Sequence, residues 1–130
     1  MTPDTNLLVR LIVQDDPEQT NKARVALGAA SVVALTLPAL CEMCWVLKSY
    51  YRLSPAQIHA AVAALTDAPN VLLDRNAIDI GLALLASGGD FADGAIAASG
   101  EAMGVDTFVS FDGRAVRLLA KAGQAARLLA

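Results

Sequence analysis

The sequence predicts an α/β domain built on a short, open parallel sheet of four or five strands with helices on both faces. Three observations carry this. Segments of strand character alternate with segments of helical periodicity along the whole chain. Hydrophobic residues make up 55% of the sequence, with few aromatics and modest charge, which suits a compact domain and excludes disorder. The length of 130 residues fits one domain, residues 1–130, that buries roughly two-thirds of its unfolded surface.

Taken in order, Met1-Thr2-Pro3 is a very short first strand that hands over at Asp4 to a helix. There Leu7, Leu8, Leu11 and Ile12 recur at helical spacing, with Arg10 on the other side. Asp16 caps a second helix, with Pro17 at its first position and Gln19 completing a capping box, so Asp15, Asp16 and Glu18 read as structural. Ser31 to Leu35 is a β-branched run of the kind found in buried parallel strands. Pro38 opens a helix from Ala39 to about Tyr50. Between Leu40 and Leu47 every residue is apolar or cysteine except Glu42, which predicts a helix buried all round with one misfit acid.

Ser54-Pro55-Ala56-Gln57 is a second capping box, leading a helix with Ile58, Val62 and Leu65 inward. His59 is assigned no chemistry. Asn70 to Leu73 is the next strand, Asp74 caps a helix over Arg75 to Ser87, and Asp79 is a surface acid on it. Gly88-Gly89 end that helix, and Asp90 caps the following one, which runs to Met103 before Gly104 stops it. Thr107 to Phe111 alternates into a strand with Asp112 at its carboxyl end, and a last strand falls near Arg127-Leu128-Leu129. No linker, repeat or low-complexity segment interrupts the series.

The net charge of −3 makes the chain no polycation, so nucleic acid would be held through a local basic patch or through metal ions. Arg114, Arg117 and Lys121 share one helical face in a tail without acids and are the candidate nucleic-acid-binding residues. Arg10, Lys48 and Arg52 stand behind them. The first residues lack the basic and apolar regions of a signal peptide. The uncharged run from Val25 to Cys41 is too short and too interrupted to span a membrane. Cys41 and Cys44 form a C-x-x-C pair with no second pair, and His59 is the only histidine. They read as reduced core thiols of a cytoplasmic protein rather than half a zinc site.

The stretch Asp90-Phe91-Ala92-Asp93-Gly94-Ala95 places two carboxylates in the first turn of an otherwise apolar helix. Asp4, Glu42 and Asp112 sit in similarly apolar settings far away in sequence. Isolated buried carboxylates are costly unless they are paired, hydrogen-bonded or bound to metal. In parallel α/β sheets ligands bind beyond the carboxyl ends of the strands, where Asp4 and Asp112 fall. Glu42 and Asp93 lie in early turns of their helices, so the four acids are expected to converge on one cleft. Clustered carboxylates raise one another's pKa, and a divalent cation reverses that. With oxygen ligands alone the expected ion is Mg²⁺ or Mn²⁺.

Asp4-Thr5-Asn6, Leu37-Pro38-Ala39-Leu40-Cys41-Glu42 with Trp45-Val46-Leu47, Asp90-Phe91-Ala92-Asp93 with Ile96-Ala97-Ala98, and Phe108-Val109-Ser110-Phe111-Asp112 together resemble the successive motifs of PIN-domain ribonucleases. The nearest likeness is to the VapC-type toxins of toxin–antitoxin pairs. The resemblance covers nearly the whole chain, although only three residues precede Asp4 where the family carries a longer apolar strand. It implies a three-layer PIN-like fold and an Mg²⁺- or Mn²⁺-dependent endoribonuclease, commonly a homodimer, silenced by a cognate VapB-like antitoxin. Asp4, Glu42, Asp93 and Asp112 match the catalytic, metal-holding acids. Asn6 and Ser110 match supporting polar positions, and Asp90 an acid beside the third carboxylate.

A different class of function is a catalytically silent module that keeps the fold and acts through protein–protein contacts. Its apolar surface would serve a partner. Retention of all four acids speaks against it. A phosphatase of the haloacid-dehalogenase type needs a second Asp two residues after the first, where this chain has Asn6.

Overall fold

A computed structural model describes all residues from Met1 to Ala130. The chain divides into two compact units, Met1–Leu73 and Asp74–Ala130. All four strands are short and pair in parallel, two in each unit.

The first unit contains α1 (Thr5–Ile12), α2 (Pro17–Ala29), β1 (Val33–Ala34), α3 (Leu37–Ser49), α4 (Pro55–Thr66) and β2 (Val71–Leu72). Strand β1 pairs with β2 in the register Val33 to Val71 and Ala34 to Leu72. The expected first strand is a stub. The Met1 ammonium donates to the Val32 carbonyl at 2.9 Å, and Ala34 N donates to the Met1 carbonyl at 2.9 Å. The three residues before Asp4 thus run beside β1 but are too few for a strand of their own.

Each helix starts where a side-chain oxygen satisfies an orphan N–H. Asp4, Asp16, Thr36 and Ser54 accept from the residue three positions on, and Ser54 with Gln57 completes the reciprocal box. The core joins Leu8 of α1, Val33 of β1, Leu40, Met43 and Leu47 of α3, and Ile58 and Val62 of α4, all essentially inaccessible. Each such side chain contributes roughly 1.5–3 kcal/mol by leaving water. Thr20, itself buried, donates its Oγ1 proton to the Arg10 carbonyl at 3.0 Å and ties α2 to α1.

The second unit contains α5 (Arg75–Ala86), α6 (Phe91–Ala102), β3 (Phe108–Ser110), α7 (Gly113–Lys121) and β4 (Ala126–Leu128). Strands β3 and β4 pair with Phe108, Val109 and Ser110 opposite Ala126, Arg127 and Leu128. Ile78 and Leu84 of α5, Phe91 of α6 and Leu119 of α7 are fully buried. Helices α5 and α6 lie backbone against backbone. A Cβ added at Gly94 would stand 2.7 Å from Gly81 Cα, and one at Gly81 would stand 2.7 Å from the Phe91 ring. Gly88, at φ +88°, makes the turn between them.

Two sequence expectations need correction. Helix α3 is not buried all round: Ala39, Leu40, Met43, Cys44 and Leu47 face the core, while Glu42 is exposed and Trp45 is 66% exposed. Apolar composition hid an ordinary amphipathic arrangement, with one stripe of α3 against its neighbours. Asp90 occupies the N-cap position of α6, but its side chain makes no cap hydrogen bond. No helix is long and apolar enough to cross a membrane.

Candidate active site

In the first unit, Asp4 ends the extended stub and caps α1, its Oδ1 accepting from Leu7 N at 2.9 Å. That bond engages one carboxylate oxygen and fixes the direction of the group. Thr5, the first residue of α1, donates its hydroxyl proton to Glu42 Oε2 at 3.1 Å. The hydrogen bond orients Glu42 from the facing helix and brings it beside the residue next to Asp4. Thr5 was not singled out in the sequence, though it stands between two residues that were. Asn6 is exposed and lines the cavities on either side of Arg10.

In the second unit, Asp93 sits in the first turn of α6, half-buried. Burial raises its carboxyl above the usual carboxylate range, and the charges of Asp90 and Asp112 raise it further. Asp112 follows β3 and caps α7, its Oδ1 accepting from Arg114 N at 2.9 Å and Ala115 N at 3.3 Å. Ser110 Oγ accepts from Asp112 N at 2.9 Å and so holds the strand-to-helix turn from below. Arg114, Arg117 and Lys121 are exposed on α7 opposite the buried Ala115 and Leu119. The Arg114 guanidinium lies against Gly88, where a Cβ would stand 2.7 Å from Nη2.

The structure therefore ties Glu42 to Thr5, the residue after Asp4, and places Asp90 and Asp112 within electrostatic reach of Asp93. Neither unit by itself closes a group of three His, Cys, Asp or Glu at metal-holding distances. Asp4, Glu42 and Asp112 are exposed rather than buried, so the burial cost inferred from their apolar neighbours in sequence applies to Asp93 alone. The donor chemistry suits a hard cation. The second-unit cluster is all oxygen; Asp93 is raised first by burial and then by the charges of Asp90 and Asp112, and a divalent ion would offset both. The thiols belong elsewhere: Cys41 and Cys44 are free, and burial raises both, with Cys44 pushed up to about 12.

The model of the PIN domain family matches residues 1–121. The chain belongs to the PIN domain family. With the family comes its chemistry, hydrolysis of RNA phosphodiester bonds. PIN nucleases are generally dependent on divalent metal. Among solved structures, the crystal structure of VapC20 from Mycobacterium tuberculosis, described as a sarcin–ricin loop cleaving toxin, is similar. It covers 95% of each chain at 20% identity and a TM-score of 0.44. No curated protein matches the chain significantly. The stretch of this PIN domain matched by the family model includes all four acids, Asn6, Asp90, Ser110 and the three cations of α7.

Proposed function

We propose that this PIN domain is an Mg²⁺- or Mn²⁺-dependent endoribonuclease of the VapC type, the toxin of a type II toxin–antitoxin pair. Its metal-holding acids would be Asp4, Glu42, Asp93 and Asp112. The observation that carries the reading is Asp93: a half-buried carboxyl, raised by burial and by Asp90 and Asp112, at the N-terminal turn of α6. Carboxylates crowded in this way favour protonation unless a cation joins them. The family match crosses both compact units, which supports treating residues 1–130 as one PIN-like domain.

When bound, the ion supplies Lewis acidity, acidifying a water and neutralising charge that builds on the scissile phosphate. The chain's own residues do the rest. Asp4 and Asp112 are each aimed by a helix-capping bond through Oδ1, and Glu42 is aimed by Thr5. Preorganised ligands of this sort reduce the reorganisation needed at the moment of reaction. Arg114, Arg117 and Lys121 offer the RNA backbone the positive charge that the acids deny it. A cognate VapB-like antitoxin, a homodimeric state and a cytoplasmic location belong to the same proposal and rest on the likeness of the motifs to VapC-type toxins.

Purified chain incubated with RNA should cleave it in Mn²⁺ or Mg²⁺, stop on chelation, and fail in Asp93→Asn. Cleavage that persists in Asp93→Asn would remove the assignment. A second reading, a silent module acting through protein contacts, draws on the exposure of Trp45, Met103 and Phe111 at 66%, 83% and 80%. Calorimetric titration with Mn²⁺ separates the two, since a silent module has no need of the ion.

A further inference from the structure

Beside Glu42, the first unit holds a cavity of about 360 Å³ between Thr5, Asn6 and Arg10 of α1 and Glu42, Tyr50 and Tyr51 at and beyond α3. We propose that it is a subsite for a single unpaired RNA base, stacked on Tyr50, a short step along the strand from the scissile phosphate. The inference rests on reading Glu42 as part of the nuclease centre.

Four observations favour a base over other ligands. Tyr50 is 76% exposed, and its ring is braced edge-on by Tyr51, with centroids 4.9 Å apart and planes at 74°. A braced, exposed aromatic ring is a stacking platform, and stacking accepts any base because every base has a π-face. The charge in the cavity is wrong for phosphate. Arg10, its one cation, is already paired with Asp15 at 2.8 Å, which leaves Glu42 unbalanced. A planar, polar and uncharged group is what such a wall accepts. Asn6, which also lines the cavity, carries an amide able to donate to and accept from its edge. The volume lies at the lower end of ligand pockets, enough for one nucleoside and too small for several.

The placement fits a nuclease. Glu42, Val46 and Tyr50 are spaced i, i+4, i+8 along α3, so Tyr50 lies roughly 12 Å of helix rise beyond Glu42. A base seated there belongs to a nucleotide one or two steps from a phosphate that a cation on Glu42 would hold. The site would set which unpaired position is cut, and it requires single-stranded RNA, because a paired base cannot leave its stack.

The test uses the full chain and a short single-stranded RNA carrying 4-thiouridine. Irradiation should yield adducts on Tyr50 or Tyr51 by peptide mass mapping. Tyr50→Ala should weaken binding about 5- to 100-fold by fluorescence anisotropy, while Tyr50→Phe keeps it. In cleavage assays the Ala variant should raise KM with kcat largely preserved. Adducts found only elsewhere, or binding by Tyr50→Ala within twofold of the parent, overturn the subsite. So does a partner polypeptide that shields Tyr50 from nitration when RNA does not. A chain that forms the Tyr50 adduct yet leaves RNA intact in Mn²⁺ keeps the subsite and removes the nuclease. Cleavage with unchanged KM in Tyr50→Ala does the reverse.

Discussion

Gly94 faces Gly81 across α5 and α6 so closely that a Cβ on Gly94 would stand 2.7 Å from Gly81 Cα and 2.8 Å from the Ile80 carbonyl. Those atoms are backbone, which cannot yield as a side-chain tip can. Gly94 also follows Asp93 directly, so the same contact sets the height and rotation of the turn that presents the carboxyl. Gly94→Ala should therefore cost about 2 kcal/mol or more, read as a lowered urea midpoint. Gly28 provides the contrast. It lies in α2 with nothing within 4 Å of an added Cβ, so Gly28→Ala should be neutral or gain up to about 1 kcal/mol. Equal effects at the two positions would contradict the close-approach argument.

Asp4 caps α1 through its Oδ1, and in the proposed function its carboxylate charge also holds a cation; substitution separates the two. Asparagine caps as well as aspartate, whereas alanine does not. Asp4→Asn should keep the parent melting temperature and lose metal-dependent cleavage. Asp4→Ala should lose cleavage and also about 1 kcal/mol of stability. The same pair of substitutions at Asp112, which caps α7, should behave alike. Thermal melts beside the cleavage assay check both.

Asp93 predicts a pH dependence of defined sign. Its folded-state carboxyl is raised above the ordinary 3.8 by burial, then by Asp90 and Asp112. The folded chain therefore holds the proton where the unfolded chain has released it, and stability falls as pH rises through that window. Above the raised value the penalty is fully present; below 3.8 it vanishes. Asp93→Asn should flatten this part of the stability–pH curve and be no less stable than the parent at neutral pH. Added Mn²⁺ should stabilise the parent at neutral pH, where the carboxylates are ionised, and should have much less effect on Asp93→Asn.

The order of helices and strands was legible because caps and breakers mark most of the boundaries: Asp16-Pro17, Ser54-Pro55, Asp74, Gly88-Gly89 and Gly104. Their side-chain oxygens and backbone freedom act locally, within three or four residues. What depends on partners distant in sequence was not legible. Leu40 to Leu47 looks buried on every side, yet Glu42 and Trp45 face out, because burial depends on how many neighbours a helix has. Asp90 has the position of a cap without the bond. Thr5 gains its role only because α3 brings Glu42 within 3.1 Å, and Gly94 only because Gly81 opposes it. For the site, the sequence supplied the residue types. The hydrogen bonds that aim them appear only in three dimensions.

Arg114, Arg117 and Lys121 form the exposed face of a helix without acids. If they neutralise RNA phosphates, each contact releases a counterion, and binding weakens with salt accordingly. Replacing any one by glutamine should reduce the slope of log affinity against log salt by about 1, uniformly across RNA sequences. Anisotropy titrations at several salt concentrations would show it. Arg114 differs in one respect, since its guanidinium packs over Gly88, and its loss should also loosen the turn before Asp90.

Cys44 offers the sharpest contrast between two readings of C-x-x-C. A redox or zinc-binding thiol needs a lowered pKa, exposure and a cationic neighbour. Cys44 is buried, and desolvation followed by the nearby Cys41 pushes it up from 9.0 to about 12. At pH 8 the folded chain should resist iodoacetamide at Cys44 for hours, while the unfolded chain reacts at both cysteines within minutes. The sign of the linked stability follows from the same shift. Between about 9 and about 12 the unfolded chain loses the Cys44 proton and the folded chain keeps it, so stability declines as pH rises through that range. Cys44→Ala should abolish that share of the alkaline decline at a cost of about 1 kcal/mol for the space left behind. Rapid alkylation of native Cys44 near neutral pH would mean instead that the thiol is ionised and reachable, which the packing of α3 forbids.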